Sequence, residues 1–307
     1  MKYDYEVFLK TISSLDLKIL KDELMSKHTT FKIGGPADFF VTVNSKDDLM
    51  KVLKAIKKFQ IPFKILGNGS NLLVSDSGVK GIVLRLGDDF KKIKILSKGS
   101  EKVKVYCGGG VQNAKFCIFA KENSLSGAEF LYGIPGTIGG AIYMNAGAYL
   151  SEIKDIIFSS ESVNKYGEII NLSKEQMKFS YRKSIFLENK NILMSGIFEL
   201  TKSDSSKIVL KMENNLKKRK DSQPLSFPNA GSTFKRPKNN FASKLIDDCG
   251  LKGVKVGGAM VSTKHAGFVV NIGGAKCDDV LELTKIIRKT VLEKAGVLLD
   301  LEINYWD

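Results

Sequence analysis

Histidine is almost missing from this chain: His28 and His265 are the only two in 307 residues, and they lie far apart. The four cysteines, Cys107, Cys117, Cys249 and Cys277, stand singly with no CxxC pair. A zinc centre needs clustered nitrogen and sulfur ligands, so no metal site is expected, and the thiols read as reduced and structural. A serine hydrolase is excluded as well, because GxSxG is lacking and base and orienter would have to come from two isolated histidines. Neither a Walker A motif nor a GxGxxG opening a helix occurs. No apolar run approaches bilayer-spanning length, and Met1-Lys2-Tyr3-Asp4-Tyr5-Glu6 lacks the apolar stretch of a secretory signal. A soluble, cytoplasmic protein without a membrane partner is expected.

Arginine is scarce too, with five (Arg85, Arg182, Arg219, Arg236 and Arg288) among 48 basic residues. Against such a lysine-rich background, an arginine in a loop calls for a geometric reason, and Arg182 and Arg236 both lie in loops. The net charge of +15 is the one extreme number. Its lysines are spread over nearly every segment with acids between them, which reads as solvated faces rather than a nucleic-acid stripe. The positive field would still speed arrival of an anionic small molecule. A hydrophobic fraction of 43% and a charged fraction of 26% are ordinary for a folded protein, and the length suits two or three lobes with their own cores.

Along the chain, Tyr5, Phe8, Leu9 and Ile12 predict a short helix and Phe39–Val43 a strand. Ser45, Asp47 and Asp48 then cap a helix whose Leu49, Val52, Leu53 and Ile56 share a face. Strands are expected at 63–66, 72–74, 82–86, 93–96 and 103–107, a helix at 111–123, a hairpin at 156–171 and a strand at 192–200. Beyond a charged helix at 203–220, the spacing predicts a helix at 241–249 stopped by Gly250, a strand at 265–271, a long helix from Asp278 ended near Gly296, and a terminal strand Leu298–Ile303. The class is α+β, with boundaries expected at 1–86, 87–202 and 203–307.

Four constellations carry chemistry. Gly67-Asn68-Gly69-Ser70-Asn71, followed by Leu72, sets backbone N–H groups, a hydroxyl and an amide between two strands, an inventory for holding a pyrophosphate. Alone it is equally a tight β-turn. A second glycine-rich loop is expected from 133 to 147, with Gly133-Ile134-Pro135-Gly136-Thr137-Ile138-Gly139-Gly140 running on to Asn145-Ala146-Gly147. Such glycine density brings backbone very close to something, and two such stretches suggest a dinucleotide held outside a Rossmann fold. Tyr181-Arg182-Lys183-Ser184 offers a guanidinium able to grip a carboxylate through two parallel bonds. Asn229-Ala230-Gly231-Ser232-Thr233-Phe234-Lys235 places the Ser232 hydroxyl in a Gly- and Pro-rich loop, suited to giving a proton to a strong base such as a carbanion. The same serine without its neighbours would read as a turn or N-cap residue, and Glu302 alone as a solvent-facing polar position.

Together these motifs, with Thr30-Phe31-Lys32-Ile33-Gly34-Gly35-Pro36-Ala37 before them, resemble the UDP-N-acetylenolpyruvoylglucosamine reductase (MurB) family, in the family's order. The spacing from Tyr181 to Ser232 is similar to the shorter branch that lacks an extra tyrosine-bearing loop. The resemblance implies a two-lobed FAD-binding domain of the vanillyl-alcohol-oxidase (PCMH) type followed by a smaller α+β substrate domain. It implies noncovalent FAD held by Gly67 to Leu72, by Gly133 to Thr137 with Gly139 and Gly140, and by Asn145 to Gly147. NADPH would be the hydride donor and a UDP-sugar the substrate, in peptidoglycan precursor synthesis. Arg182 would hold the substrate carboxylate, Glu302 would support the enolate-like species, and Ser232 would protonate it. Tyr181, Lys235, Lys220 and Asn271 are candidates for binding the substrate. A monomer is expected, with a flavin-dependent oxidase on a related FAD scaffold as the alternative activity.

Overall fold

A computed structural model describes residues 3–307. Its contacts divide the chain into two units, the first comprising Met1–Leu20, Phe39–Asn68 and Gly81–Lys217, the second Lys21–Asp38, Gly69–Lys80 and Lys218–Asp307.

The first unit contains two hydrophobic cores. One is built on helix Lys46–Lys58, where the Ser45 side chain accepts the Asp48 N–H at 3.1 Å and Leu49, Val52, Leu53 and Ile56 are buried, as their spacing predicts. Phe8 and Ile12 of helix Tyr5–Ile12 join that core. Strand Phe63–Leu66 pairs parallel with Val79–Leu86 in register Phe63↔Ile82. They are the end of a sheet ordered Leu17–Leu24, Pro36–Val43, Val79–Leu86, Phe63–Leu66. The strand Leu17–Leu24 was not expected from sequence. It is an edge strand carrying Lys18, Lys21, Asp22 and Glu23, and the charges that guard an edge against mispairing also erase the alternation by which strands are read.

The second core of this unit lies under an antiparallel sheet ordered Ile169–Ser173, Ile157–Val163, Ile192–Lys202, Lys102–Gly108, Ile93–Lys98, with Leu125–Ser126 also on Ile192–Lys202. The hairpin expected at 156–171 is its first pair. Helices Asn113–Glu122 and Ile138–Tyr143 supply Phe116, Ala120, Ile138 and Ile142, and the rings of Phe116 and Phe198 stand 4.7 Å apart. Ile208 and Met212 of helix Ser205–Ser222 are buried with them.

The second unit packs helices Ala242–Asp248 and Cys277–Ala295 with a three-stranded antiparallel sheet, Lys255–Val256, Ala259–Val261 and Val269–Asn271. Its core also takes in Phe31, Ile33 and Leu73. Gly296 ends the long helix at φ 67°, its N–H bonded to the Leu292 carbonyl, a left-handed cap that glycine adopts without a Cβ penalty. The terminal strand differs from expectation. It is Asn304–Trp306, parallel to Leu72–Val74, while residues 299–302 give their backbone groups to neighbours outside a sheet. Alternation still sets the facing, with Leu299 and Ile303 buried, because side-chain direction follows extended backbone whether or not a ladder forms.

Candidate active site

The two glycine-rich stretches meet. A Cβ built on Gly67 would lie 2.7 Å from the Thr137 Oγ1, so within the first unit the first turn is pressed against the second. The stretch expected to be a loop from 133 to 147 contains a short helix: Thr137 is the N-cap of Ile138–Tyr143 and accepts the Gly140 N–H at 3.4 Å. Asn113 holds the approach, its N–H on the Gly136 carbonyl and its Nδ2 on the Ile134 carbonyl. A Cβ on Gly139 would come 3.0 Å from the Gly109 carbonyl oxygen. In the second unit Gly69 sits at φ +60° with its Cα 's open side against the His28 carbonyl, where a Cβ would come to 2.2 Å. The glycines thus let backbone approach backbone. Among the described residues, the backbone N–H groups of Asn68, Gly69 and Asn71 have no protein acceptor.

Arg182 lies in the first unit on a β-turn closed by mutual bonds between Ser180 and Lys183, each 3.1 Å. It is the third residue of that turn and has φ 54°, a left-handed conformation that costs a bulky side chain about 1–2 kcal/mol. Surrounding contacts hold it there: one guanidinium nitrogen donates to the Gly147 carbonyl at 2.9 Å, and the guanidinium lies 5.0 Å from the Tyr181 ring centroid. Ser184 is buried and donates to the Tyr143 carbonyl at 2.6 Å, fixing the end of the segment. Asn145, expected to touch cofactor, is fully buried at φ 44°, and its amide reaches Glu152 and the Ser180 carbonyl.

Ser232 and Glu302 belong to the second unit and lie on paired segments. The Glu302 N–H donates to the Thr233 carbonyl at 2.9 Å, the Lys235 N–H to the Asp300 carbonyl at 2.8 Å, and Phe234 bridges Leu301. On its other side the loop is stitched to 267–271: the Thr233 N–H donates to the Gly267 carbonyl, Thr233 Oγ1 accepts the Val269 N–H at 2.9 Å, and Asn229 bridges Val270. Thr233 and Phe234 are buried while Ser232 between Gly231 and Thr233 is exposed, so the loop is anchored on both flanks and presents its hydroxyl. Asn71 joins the cluster, its Nδ2 on the Glu302 carbonyl and its carbonyl accepting the Asn304 N–H.

The remaining candidates divide by environment. Asn271 is buried and spends its amide on the Phe31 carbonyl and the N–H groups of Gly273 and Ala275. Lys220 is exposed and its carbonyl accepts Lys264 Nζ at 2.6 Å; Lys235 is half-buried and Tyr181 exposed. Sequence reasoning passed over three residues that hold these segments. Thr30 donates through Oγ1 to the Asn229 carbonyl at 2.7 Å and through its N–H to the Gly69 carbonyl. Thr233 is the second, its signal being only that it follows the serine. The third is His265, whose Nδ1 accepts the Gly267 N–H at 3.1 Å; burial disfavours its charged form and lowers its pKa from 6.5.

No group of three potential metal ligands occurs among the described residues. All four cysteines are buried and free, and burial together with nearby Asp76 pushes the Cys277 thiol up to about 12.

Two family models match the chain. One, described as an FAD binding domain, covers residues 37–173, and the other, the C-terminal domain of UDP-N-acetylenolpyruvoylglucosamine reductase, covers 223–306. Among similar proteins, a UDP-N-acetylenolpyruvoylglucosamine reductase of Clostridium novyi is 44% identical over 99% of this chain and 97% of its own length. One of Clostridium tetani is 45% identical over 92% of this chain and 90% of its own. The crystal structure of the reductase MurB from Thermus caldophilus superposes with a TM-score of 0.80 at 34% identity, covering 95% of this chain and all of that one. Sequence, fold and the order of the site segments agree, and the chain belongs to the UDP-N-acetylenolpyruvoylglucosamine reductase (MurB) family.

Proposed function

We infer that the protein reduces the enolpyruvyl ether of a UDP-N-acetylglucosamine to the lactyl ether, giving UDP-N-acetylmuramate for peptidoglycan, with NADPH as electron donor. The geometric observation that carries this reading is the 2.9 Å bond from the Glu302 N–H to the Thr233 carbonyl, which sets Ser232 and Glu302 on adjacent anchored segments. A hydroxyl and a carboxyl carried on adjacent, rigid backbone segments suit protonation of a carbanion.

The residues fit FAD on the structure's own terms. Asn68, Gly69 and Asn71 present N–H groups without protein acceptors, the kind of backbone concavity that receives a pyrophosphate, and the second stretch packs directly on the first through Gly67 and Thr137. Gly67 to Leu72, Gly133 to Thr137, Gly139, Gly140, Ala146 and Gly147 are proposed to hold it, without a covalent link. When bound, the flavin supplies hydride obtained from NADPH.

The chain's own residues do the rest. Addition of hydride at the terminal carbon drives charge toward the adjacent carbon and its carboxylate. Arg182, its guanidinium plane fixed by Gly147 and Tyr181, grips that carboxylate with a fork that lysine cannot reproduce. Glu302 supports the same enolate-like species by a hydrogen bond. The Ser232 hydroxyl delivers the proton to the carbon next to the carboxylate. Tyr181, Lys235 and Lys220 are proposed contacts for the UDP-sugar, and Asn271 is proposed to serve it by holding the 273–275 turn.

Three lobes, 1–86, 87–202 and 203–307, are proposed as the working parts, a division supported by three hydrophobic cores centred on those ranges. A nucleotide sugar and a nicotinamide donor are metabolites of the cytoplasm, which supports action there, and every proposed site residue can come from one chain, which a monomer supplies. No helix among the described residues is long and apolar enough to cross a membrane. The deciding experiment is an anaerobic absorption spectrum of the purified protein. NADPH should bleach a flavin band, and the enolpyruvyl UDP-sugar should restore it; a colourless protein, or a band that substrate leaves bleached, refutes the reading.

A further inference from the structure

Asn145 stands apart from the glycine stretch in which the sequence embeds it. Its side chain has no exposed surface, and each polar atom of its amide is used. Nδ2 donates to Glu152 Oε2 at 2.8 Å and to the Ser180 carbonyl at 3.0 Å, while Oδ1 accepts the Lys154 N–H at 3.0 Å. Two of these partners, Ser180 and Glu152, belong to the two elements that hold Arg182. Ser180 opens the β-turn on which Arg182 is the third residue. Glu152 closes the small hairpin that pairs Gly147–Ala148 with Ser151–Glu152, and Gly147 gives the carbonyl to which the Arg182 guanidinium donates. One amide therefore fastens both the backbone that carries the arginine and the acceptor that aims its tip.

The surroundings are built to keep this clamp in place. The hairpin turns through Tyr149 at φ 55° and Leu150 at φ 65°, and the Tyr149 hydroxyl donates to the Asn215 carbonyl at 2.7 Å, tying the tip to helix Ser205–Ser222. Glu152 also pairs with Lys154, and its N–H is taken by Asp155, so the carboxylate that Asn145 meets is fixed from the other side. Asn145 itself has φ 44°, a left-handed conformation that asparagine tolerates better than other residues with a Cβ. Buried hydrogen bonds of this kind are costly to leave unmade, so the geometry of the turn follows the amide.

We propose that Asn145 is a positioning residue for the reduction: its buried amide, bound to the Ser180 carbonyl and to Glu152, holds the Arg182 turn and the Gly147 hairpin together so that the guanidinium meets the substrate carboxylate. This rests on the role assigned to Arg182 above. It assigns Asn145 to the arginine and not to the flavin. Since a shift of about 1 Å in a positioning group costs on the order of 100-fold in rate, the effect belongs in the half-reaction with the enolpyruvyl substrate.

The test uses the flavin-loaded enzyme and two variants. Asn145→Gly removes the amide while keeping the left-handed backbone. Asn145→Asp combined with Glu152→Gln retains an acceptor for Lys154 and a reversed contact to residue 152, but loses the bond to the Ser180 carbonyl. Expected are full flavin content, reduction by NADPH within about twofold of the parent, weaker calorimetric binding of UDP-N-acetylmuramate, and reoxidation by substrate slowed about 10- to 100-fold. In an Arg182→Ala background, Asn145→Gly should slow reoxidation by less than about twofold more, since the two act as a unit. Loss of flavin from both Asn145 variants, equal slowing of both half-reactions, or slowing that multiplies with that of Arg182→Ala overturns the proposal. If Arg182→Ala alone leaves reoxidation unchanged, the arginine reading fails; slowing by Arg182→Ala with none from either Asn145 variant sinks the positioning role alone.

Discussion

The arginine turn of the first unit and the serine loop of the second are held by different means. The Arg182 turn is closed by its own backbone bonds, but side chains tie it to its surroundings: the Asn145 amide on the Ser180 carbonyl, the guanidinium on the Gly147 carbonyl and the Tyr181 ring beside it, about a left-handed backbone. Ser232 rests on backbone, through bonds from 229–235 to 267–271 and to 300–302. A segment held by side chains fails with one substitution, whereas one held by a backbone ladder keeps its path when side chains change. The exposed Ser232 hydroxyl can therefore be altered without moving the loop, while Arg182 and its supports cannot be separated so cleanly.

The strongest way to sharpen that contrast is Ser232→Ala. Product formation should fall about 10²- to 10⁴-fold, as for loss of a general acid, with NADPH still reducing the flavin at the parental rate. Stopped-flow measurement of both half-reactions checks it, and equal loss in the two would remove the proton-donor role. Next in size is Arg182→Lys, where one ammonium replaces a planar fork and loses its bond to Gly147. About 10- to 100-fold slower flavin reoxidation is expected from a lost charged hydrogen bond, read in the same instrument.

The backbone-held loop has a side-chain weak point at Thr233. Thr233→Val would strand the buried Val269 N–H and should cost about 1–3 kcal/mol in denaturant unfolding; a neutral result would show that the ladder alone suffices. Gly67→Ala probes the first unit. The new Cβ displaces Thr137 Oγ1 from its helix cap, for about 1 kcal/mol and weakened flavin retention, measured by equilibrium dialysis.

The smallest effect is a difference in acid response. Burial lowers the His265 pKa below 6.5, so the neutral ring's contribution is complete above that value and is lost as pH falls through the lower folded value. Protonation removes the acceptor of the Gly267 N–H, next to the Ser232 loop. In the first unit, burial works to raise the pKa of Glu129, but bonds from Ser126, its own backbone and Gly127, with the Lys211 charge, bring it below 4.5. Its stabilisation is complete above 4.5 and disappears only at more acid pH. Hydrogen exchange at a series of pH values should therefore show 267–269 loosening before 126–131; the reverse order would reject this account.

Much of this was legible in the chain itself. Ser45 before two aspartates and an i, i+3, i+4 apolar face specified helix Lys46–Lys58, and Gly296 after the long helix specified its end, because both signals lie within a few residues of what they control. The charged edge strand Leu17–Leu24 was hidden by the residues that protect it. The glycine stretch 133–140 looked like a loop because glycine is a poor helix former, yet Thr137 caps a helix through Gly139 and Gly140 that packs on Gly109. Asn145 read as part of a ligand cradle, since nothing in its neighbourhood of small residues reveals a partner 35 positions away.

By itself the sequence determined the chemistry available: a serine after glycine in a Gly- and Pro-rich stretch, few arginines, no clustered metal ligands, and motifs in an order that marks the family. These are local properties, fixed by residue type and spacing. Only the tertiary structure decided which segments hold one another, as where Asn71 binds the Glu302 carbonyl across 231 positions and Asn145 joins the Ser180 turn to the Glu152 hairpin. Each of these bonds runs from a side-chain amide to an acceptor remote in sequence, often a carbonyl that any residue could offer, so local pattern is silent about them until packing brings the partners together.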